Sequence, residues 1–510
     1  MPTVRMVTAM TDDPAADEAD SNVREQQRSL ALALKGAQLS VEELWMRYFG
    51  MGGEAGYLEV DAYVRGTGET PALDRDILAH AVNERIDELT WAKRAVYSRP
   101  LRSREPRDAP LSALVRLLEG AELAPPDRLP AIAESAGRAL GVHIAIYLTD
   151  YDQRYLCPLT TGFATGEAEA VPAGAFEIDN TLPGRAFRQV QILPSQTTDR
   201  YRLWVPLMDG VERLGVLDVQ VDSVDDLYDP GLRVQCQWVS HLLGHLVTAM
   251  SQYGDALERT RLRTRRTVNA ELIWSLLPPL TAGVDSFVVT GVIEPRHSVS
   301  GDAFDYALSE TTANLIVLDA VGHDLRSGLI AAAAVAAYRS ARHAGHGLYE
   351  QARTIDETIS HQFGHALFAT AVLAELDLPT GRLRYINAGH PEPLLMRGGK
   401  IVKPLNAGHS LPLGLGIGEL HIGEEFLQPE DWLLLYTDGV PEARDNTGEF
   451  FGETRLIDFL RREAAAGHPP PETARRLIKA VLEHQHQPLQ DDATVLLARW
   501  THPRQLMPDA

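Results

Sequence analysis

The spacing of apolar residues changes along the chain, and those changes divide it. Residues 11–27 are acidic and polar with almost no large apolar side chains, a composition too poor in buriable surface to order itself. From residue 30 apolar positions recur every three or four residues. Ser40 and Glu43 form a capping box ahead of Leu44, Trp45, Tyr48 and Phe49. Ile77, Leu78, Val82, Ile86 and Leu89 line one face of a second helix. Residues 93–107 are basic and contain proline, which reads as a solvated linker; an anchor for an anionic partner is the alternative. The expectation is a disordered tail over 1–27, then a helical region and linker over 28–110.

A different order follows between 120 and 250. An apolar helix over 129–140 leads into a strand over 143–148. Runs over 203–207 and 214–219 flank Asp209-Gly210, a dipeptide suited to a tight hairpin turn, and a helix over 229–250 closes the unit. With that order, the stretches Thr181-Leu182-Pro183-Gly184-Arg185-Ala186-Phe187 and Arg213-Leu214-Gly215-Val216-Leu217-Asp218 resemble the GAF family of sensory domains. The resemblance implies a small-molecule ligand; a dimerisation module with a filled core is the alternative, since no metal or haem ligand set lies between 127 and 250. Helical spacing then continues through Leu257, Leu262, Val268, Leu272, Ile273, Leu276 and Leu277 until Pro278-Pro279 stops it, with Gly254 a weak point. Such a helix, over 251–279, pairs with a copy of itself or packs on the next domain, and periodicity leaves both open. A homodimer through 247–277 is one expectation.

Beyond residue 287 the period shortens to that of strands. Runs over 287–293 and 314–319 are strand-like. Residues 369–377 and 383–387 flank Pro379-Thr380-Gly381, and 394–397 and 401–405 flank Gly398-Gly399, predicting two hairpins. Strands over 432–437 and 493–499 and helices over 325–342, 454–464 and 472–484 complete a layered domain of mostly antiparallel sheets over 280–502. A short tail, 503–510, follows.

Composition narrows the function. A net charge of −22 over 510 residues argues against a nucleic-acid-binding face, which needs a basic surface. Two cysteines, Cys157 and Cys236, are too few for a disulfide framework or a zinc site, which fits a reducing, cytoplasmic setting. No long apolar stretch opens the chain, and the most apolar run, 329–337, is too short to span a bilayer.

The candidate chemistry sits at strand ends. Asp302 and Asp305 follow the first strand, Asp319 ends the next, Asp438 ends the run 433–437, and Asp491 and Asp492 precede the last strand. Any one alone reads as a turn former or cap. Four such segments converging would repel as bare carboxylates, and divalent cations resolve that conflict. All-oxygen donors suit Mg²⁺ or Mn²⁺. Gly301 and Gly439 permit close backbone approach there.

Six stretches carry a family resemblance: Ser300-Gly301-Asp302, Asp319-Ala320-Val321-Gly322-His323, Asn387-Ala388-Gly389-His390, Tyr436-Thr437-Asp438-Gly439-Val440-Pro441-Glu442-Ala443, Phe451-Gly452 and Gln490-Asp491-Asp492-Ala493-Thr494-Val495. In order and spacing, residues 268–499 resemble the PPM (PP2C-like) phosphatase family in its SpoIIE/RsbU bacterial branch. The resemblance implies an α-β-β-α sandwich and a protein serine/threonine phosphatase. It also implies two Mn²⁺ or Mg²⁺ ions, Asp319 and the Ala320 carbonyl as ligands with Asp319 bridging, and Asp438 and Asp491 on the second ion. Asp302 falls in the first or second shell, and a direct part for Asp492 stays open. The catalytic set is thus Asp302, Asp319, Asp438 and Asp491. The implied substrate is a phosphorylated STAS-type anti-sigma-factor antagonist, and the helix at 268–277 is the implied switch.

Two positions depart from the family pattern: Ser300 where glycine is commoner, and Asp324, which caps the following helix or reaches the ions. His323 and His390 are candidate general acids or backbone-satisfied turn histidines. Arg296 is a phosphate contact or a loop arginine. A scaffold that keeps the fold without catalysis, and a small-molecule phosphodiesterase or pyrophosphatase, are the competing functions.

Overall fold

The computed structural model describes residues 14–89, 108–160, 173–197, 200–263, 266–294, 301–322, 324–364, 366–416, 418, 420–485 and 491–501. Backbone contacts divide the chain into two compact units, Met1–Pro106 and Arg107–Ala510.

The first unit contains α1 (Pro14–Gly36), α2 (Val41–Gly50), α3 (Tyr57–Val64) and α4 (Ala72–Leu89) around Leu30, Leu44, Tyr48, Tyr63, Leu78 and Val82. The Ser40–Glu43 capping box is formed at the start of α2. The tail expected to lack structure as far as residue 27 is instead helical from Pro14. Its Ala, Glu, Gln and Arg residues favour helix without apolar help, and Gln26 is buried, donating to the Arg75 carbonyl at 3.2 Å. The basic linker over 93–107 lies outside the described residues.

The second unit opens with α5 (Ala109–Ala121), α6 (Leu129–Leu140), β1 (His143–Thr149), β2 (Tyr155–Pro158), β3 (Phe176–Glu177), α7 (Leu182–Gln189), β4 (Leu193–Thr197), β5 (Arg200–Asp209), β6 (Glu212–Val221) and α8 (Pro230–Met250). The strands form one antiparallel sheet in the order β3-β2-β1-β6-β5-β4, with β5 and β6 as the expected hairpin. Helices α5, α6 and α8 share a core with the sheet. A second cluster packs Phe187 of α7 with Trp204 and Val216, joined by Tyr147 and Phe176. Both cysteines are buried.

After α8 the chain turns. The expected continuous helix is divided into α8, α9 (Ala256–Arg261) and α10 (Val268–Leu276). Gly254 marks the break, so close to Pro126 that an added Cβ would lie 2.7 Å from the proline ring. Val247, Met250 and Leu257 bury in the core of the preceding sheet unit, and Ile273 in that of the following domain. Part of the stripe that could pair with a second copy is therefore used within the chain.

The remainder is two sheets between two helical layers. Its elements are β7 (Thr281–Val284), β8 (Phe287–Glu294), β9 (Asp302–Leu308), β10 (Thr312–Ala320), α11 (Leu325–His343), α12 (Leu348–Phe363), β11 (Ala369–Asp377), β12 (Arg382–Ala388), β13 (Leu394–Arg397), β14 (Ile401–Pro404), β15 (His409–Ser410), β16 (Gly423–Phe426), β17 (Trp432–Tyr436), α13 (Glu453–Ala465), α14 (Pro470–Gln485) and β18 (Ala493–Trp500). One sheet runs β15-β12-β11-β10-β9 with β16 also on β12; the other runs β14-β13-β17-β18-β8-β7. Pairing is antiparallel except between β12 and β15. Phe304, Leu315, Val317, Val372, Leu433, Leu435 and Leu496 interdigitate between the sheets. Helices α11 and α12 cover the outer face of the first sheet, and α13 and α14 that of the second.

Candidate metal centre

Strand alternation builds the site. Side chains two residues apart share a face, so the inner-face run Leu315, Val317 continues to Asp319, and Val372 continues back to Thr370. Phe304 continues back to Asp302, Leu435 on to Thr437, and Leu496 back through Thr494 to Asp492. At one end of the sandwich the buried apolar core thus gives way to carboxylates and hydroxyls from both sheets. Register confirms the row: Asp319 lies opposite Asp302 on β9 and opposite Thr370 on β11.

Several contacts fix this end. Thr437 Oγ1 donates to Asp302 Oδ2 at 2.7 Å, and the Gly301 amide donates to Asp492 Oδ2 at 2.9 Å. Thr494 N donates to Thr437 Oγ1 at 2.8 Å. Gly439 sits so near β18 that a Cβ there would lie 1.9 Å from the Asp492 carbonyl oxygen, and one on Gly301 would lie 2.5 Å from that of Ala320. Only glycine fits where these segments cross.

The carboxylates feel one another. Burial, then the charges of Asp319 and Asp492, raise the Asp302 carboxyl well above its ordinary range. Burial, then Asp438, Asp491 and Asp492, push Asp319 up to about 7. Asp438 is raised by burial, then by Asp491 and Glu442. Five aspartates from four segments are therefore within electrostatic reach. Among the described residues no three His, Cys, Asp or Glu side chains stand close enough to cage an ion as they are, so the group interacts through its field. Its chemistry fits a hard divalent cation: all-oxygen donors and a charge excess.

Other sequence candidates fall elsewhere. Asp302 and Asp305, which follow the first predicted strand, lie within β9; Asp305 points to the outer face, buried and paired with Arg339 at 2.7 Å and Arg342 at 3.2 Å. Asp324 caps α11, accepting from Arg326 N and Ser327 N at 2.9 and 3.2 Å. His390 is buried, its Nδ1 2.8 Å from Thr370 Oγ1. His323 and Arg296 lie outside the described residues. Sequence reasoning missed Thr370 as a site-end residue and the influence of Glu442. The inner-face alternation from Val372 would have flagged the former.

Helical layers over a two-sheet sandwich, with aspartates gathered at one end, define the class: a PP2C-like phosphatase domain of the PPM serine/threonine type. Within that class, residues 309–501 match the model of the family Stage II sporulation protein E (SpoIIE). The chain is 27% identical to Protein IcfG of Synechocystis over 246 residues, covering 42% of this chain and 37% of that protein. It is 21% identical to Phosphoserine phosphatase RsbU of Bacillus subtilis, covering 51% of this chain and 80% of that one. To Phosphoserine phosphatase RsbP of the same organism it is 28% identical, covering 42% and 52%. Against two of these three relatives the chain therefore spans about half of their length or less. No helix among the described residues is long and apolar enough to cross a membrane.

Proposed function

We propose that this chain is a metal-dependent protein phosphatase that hydrolyses phosphoserine or phosphothreonine on a partner protein under control of its GAF-like unit. The single observation that carries the reading is the convergence of Asp302, Asp319, Asp438, Asp491 and Asp492 on one end of the sandwich, with the carboxyls of Asp302, Asp319 and Asp438 raised by burial and by neighbouring aspartates. Buried like charges are costly unless a cation balances them. Asp319, Asp438 and Asp491, with the Ala320 carbonyl, would hold two Mn²⁺ or Mg²⁺ ions, while Asp302 and Asp492 complete or brace the shell. When bound, such ions lower the pKa of a coordinated water and neutralise charge building on a phosphoryl group. The protein's own part is to aim the carboxylates: Thr437 orients Asp302, and the Gly301 amide orients Asp492.

The names of the relatives RsbU and RsbP support a phosphoserine substrate, and the SpoIIE/RsbU resemblance supports a STAS-type antagonist of an anti-sigma factor. The middle unit supports regulation by its position before the phosphatase domain.

The test is phosphate release from phosphoserine proteins by the full chain with and without Mn²⁺. Release that needs Mn²⁺ and disappears in Asp438→Asn is expected. Mn²⁺ binding without release from any phosphoprotein would favour the scaffold reading instead.

A further inference from the structure

Beside the aspartates, one buried neutral group reaches from one sheet to the other. His390 follows β12 and is 6% exposed. Its amide donates to Asn387 Oδ1 at 2.8 Å, closing a turn in which Gly389 has φ +70°. Its Nδ1 lies 2.8 Å from Thr370 Oγ1. Its Nε2 is buried without a partner in hydrogen-bond geometry, and the backbone of Tyr436 acts on the ring as a hydrogen-bonding group. Burial holds the imidazole neutral, with its pKa down to about 3. A neutral imidazole has one N–H and one lone-pair nitrogen. The network assigns the lone pair to Nδ1, accepting from the Thr370 hydroxyl, and the proton to Nε2, facing Tyr436.

The two ends of this bridge matter because of what they adjoin. Thr370 lies directly opposite Asp319 in the β10–β11 ladder. Tyr436 stands two residues before Asp438. At the other end of the row, Thr437 reaches across to Asp302. Thr437 thus ties the sheets on one side of the carboxylates, and His390 spans from Thr370 toward the Tyr436 backbone on the other.

We propose that His390 is a positioning residue: an uncharged strut between Thr370 and Tyr436 that fixes the separation of Asp319 and Asp438, and with it the spacing of the cation ligands. The inference rests on the metal-centre reading above. Ligand distances to Mg²⁺-like ions tolerate only a few tenths of an ångström, so a looser sheet-to-sheet spacing acts first on cation affinity. A histidine buried this far is a poor proton donor to substrate, and the strut role uses it as it stands.

The experiment uses the full chain. Mn²⁺ affinity is measured by calorimetry, alongside the Mn²⁺ dependence and pH profile of p-nitrophenyl phosphate hydrolysis, for wild type, His390→Phe, His390→Gln and Thr370→Val. The strut predicts at least tenfold weaker Mn²⁺ binding in His390→Phe. It also predicts a smaller change in kcat at saturating Mn²⁺, unaltered limbs of the pH profile, and recovery of most of the affinity in His390→Gln. Thr370→Val should weaken Mn²⁺ about threefold, which keeps the test open if His390→Phe fails to fold. Unchanged Mn²⁺ affinity in folded His390→Phe, or in Thr370→Val, overturns the proposal. Loss of one pH limb at full Mn²⁺ occupancy, without rescue by His390→Gln, also overturns it and assigns a proton-transfer role. Wild type that binds Mn²⁺ but hydrolyses nothing refutes the phosphatase reading while the affinity series still supports the strut. Wild type that binds no Mn²⁺ overturns both.

Discussion

Asp319 shows how folding and chemistry pull one residue in opposite directions. Its carboxyl moves from 3.8 to about 7 on folding, so between those values the folded chain holds a proton that the unfolded chain has released. Stability of the metal-free protein therefore falls as pH rises from about 4 to about 7. Asp319→Asn removes the burden along with the proposed ligand. In chelator at pH 8 the variant should melt several degrees above wild type, with the difference closing near pH 4, and it should release no phosphate. Scanning calorimetry at the two pH values checks the first part; equal melting points at pH 8 would count against a crowded, charged centre. The aspartates were legible in the sequence because each sits beside a small residue at the edge of an apolar run. Asp305 was not separable from Asp302 without the strand: only the alternation of β9 turns one inward to the site and the other outward to Arg339 and Arg342.

Helix α14 links the preceding sheet unit to the two-sheet sandwich. Arg213 at the start of β6 pairs with Glu472 of α14 at 3.0 Å. Glu472 also holds Arg475 at 2.8 Å, and Arg475 reaches Asp179 at 2.6 Å. The side chains of Arg213, Glu472 and Arg475 are 4%, 2% and 5% exposed, so this is a buried ionic seam with α14 leading on toward Asp491 and Asp492. Removing the shared carboxylate by Glu472→Ala leaves two guanidinium groups buried without it and should cost about 3–5 kcal/mol in denaturant unfolding. A loss below about 1 kcal/mol would mean that water already screens the seam. Long strands bounded by Gly and Pro turns, such as β11 and β12, were readable from pattern alone. Short β2, β3 and β4 were not, because two to five residues give too few alternations. Helix α12 hid for another reason: Gln351, Asp356 and Ser360 lie on its buried face and break the apolar stripe. The unbroken helix expected after Val247 failed because Gly254 packs on Pro126, a contact distant in sequence.

At the scale of the molecule, the chain comprises a helical unit and a larger body in which the first six-stranded sheet and the two-sheet sandwich share one compact unit. Each has its own core, so removal of residues 1–106 should leave the melting transition of the remainder in place; its disappearance would show that the helical unit is needed for folding. Within the helical unit, Ser40→Ala removes the α2 cap and should cost about 1 kcal/mol, read from the unfolding of that unit. The central claim is that carboxylates from both sheets jointly hold divalent cations. Calorimetric titration of Mn²⁺ into wild type and Asp319→Asn tests it most directly. Two ions per chain in wild type, and loss of that binding in the variant, is the predicted result; equal binding by both proteins would contradict it.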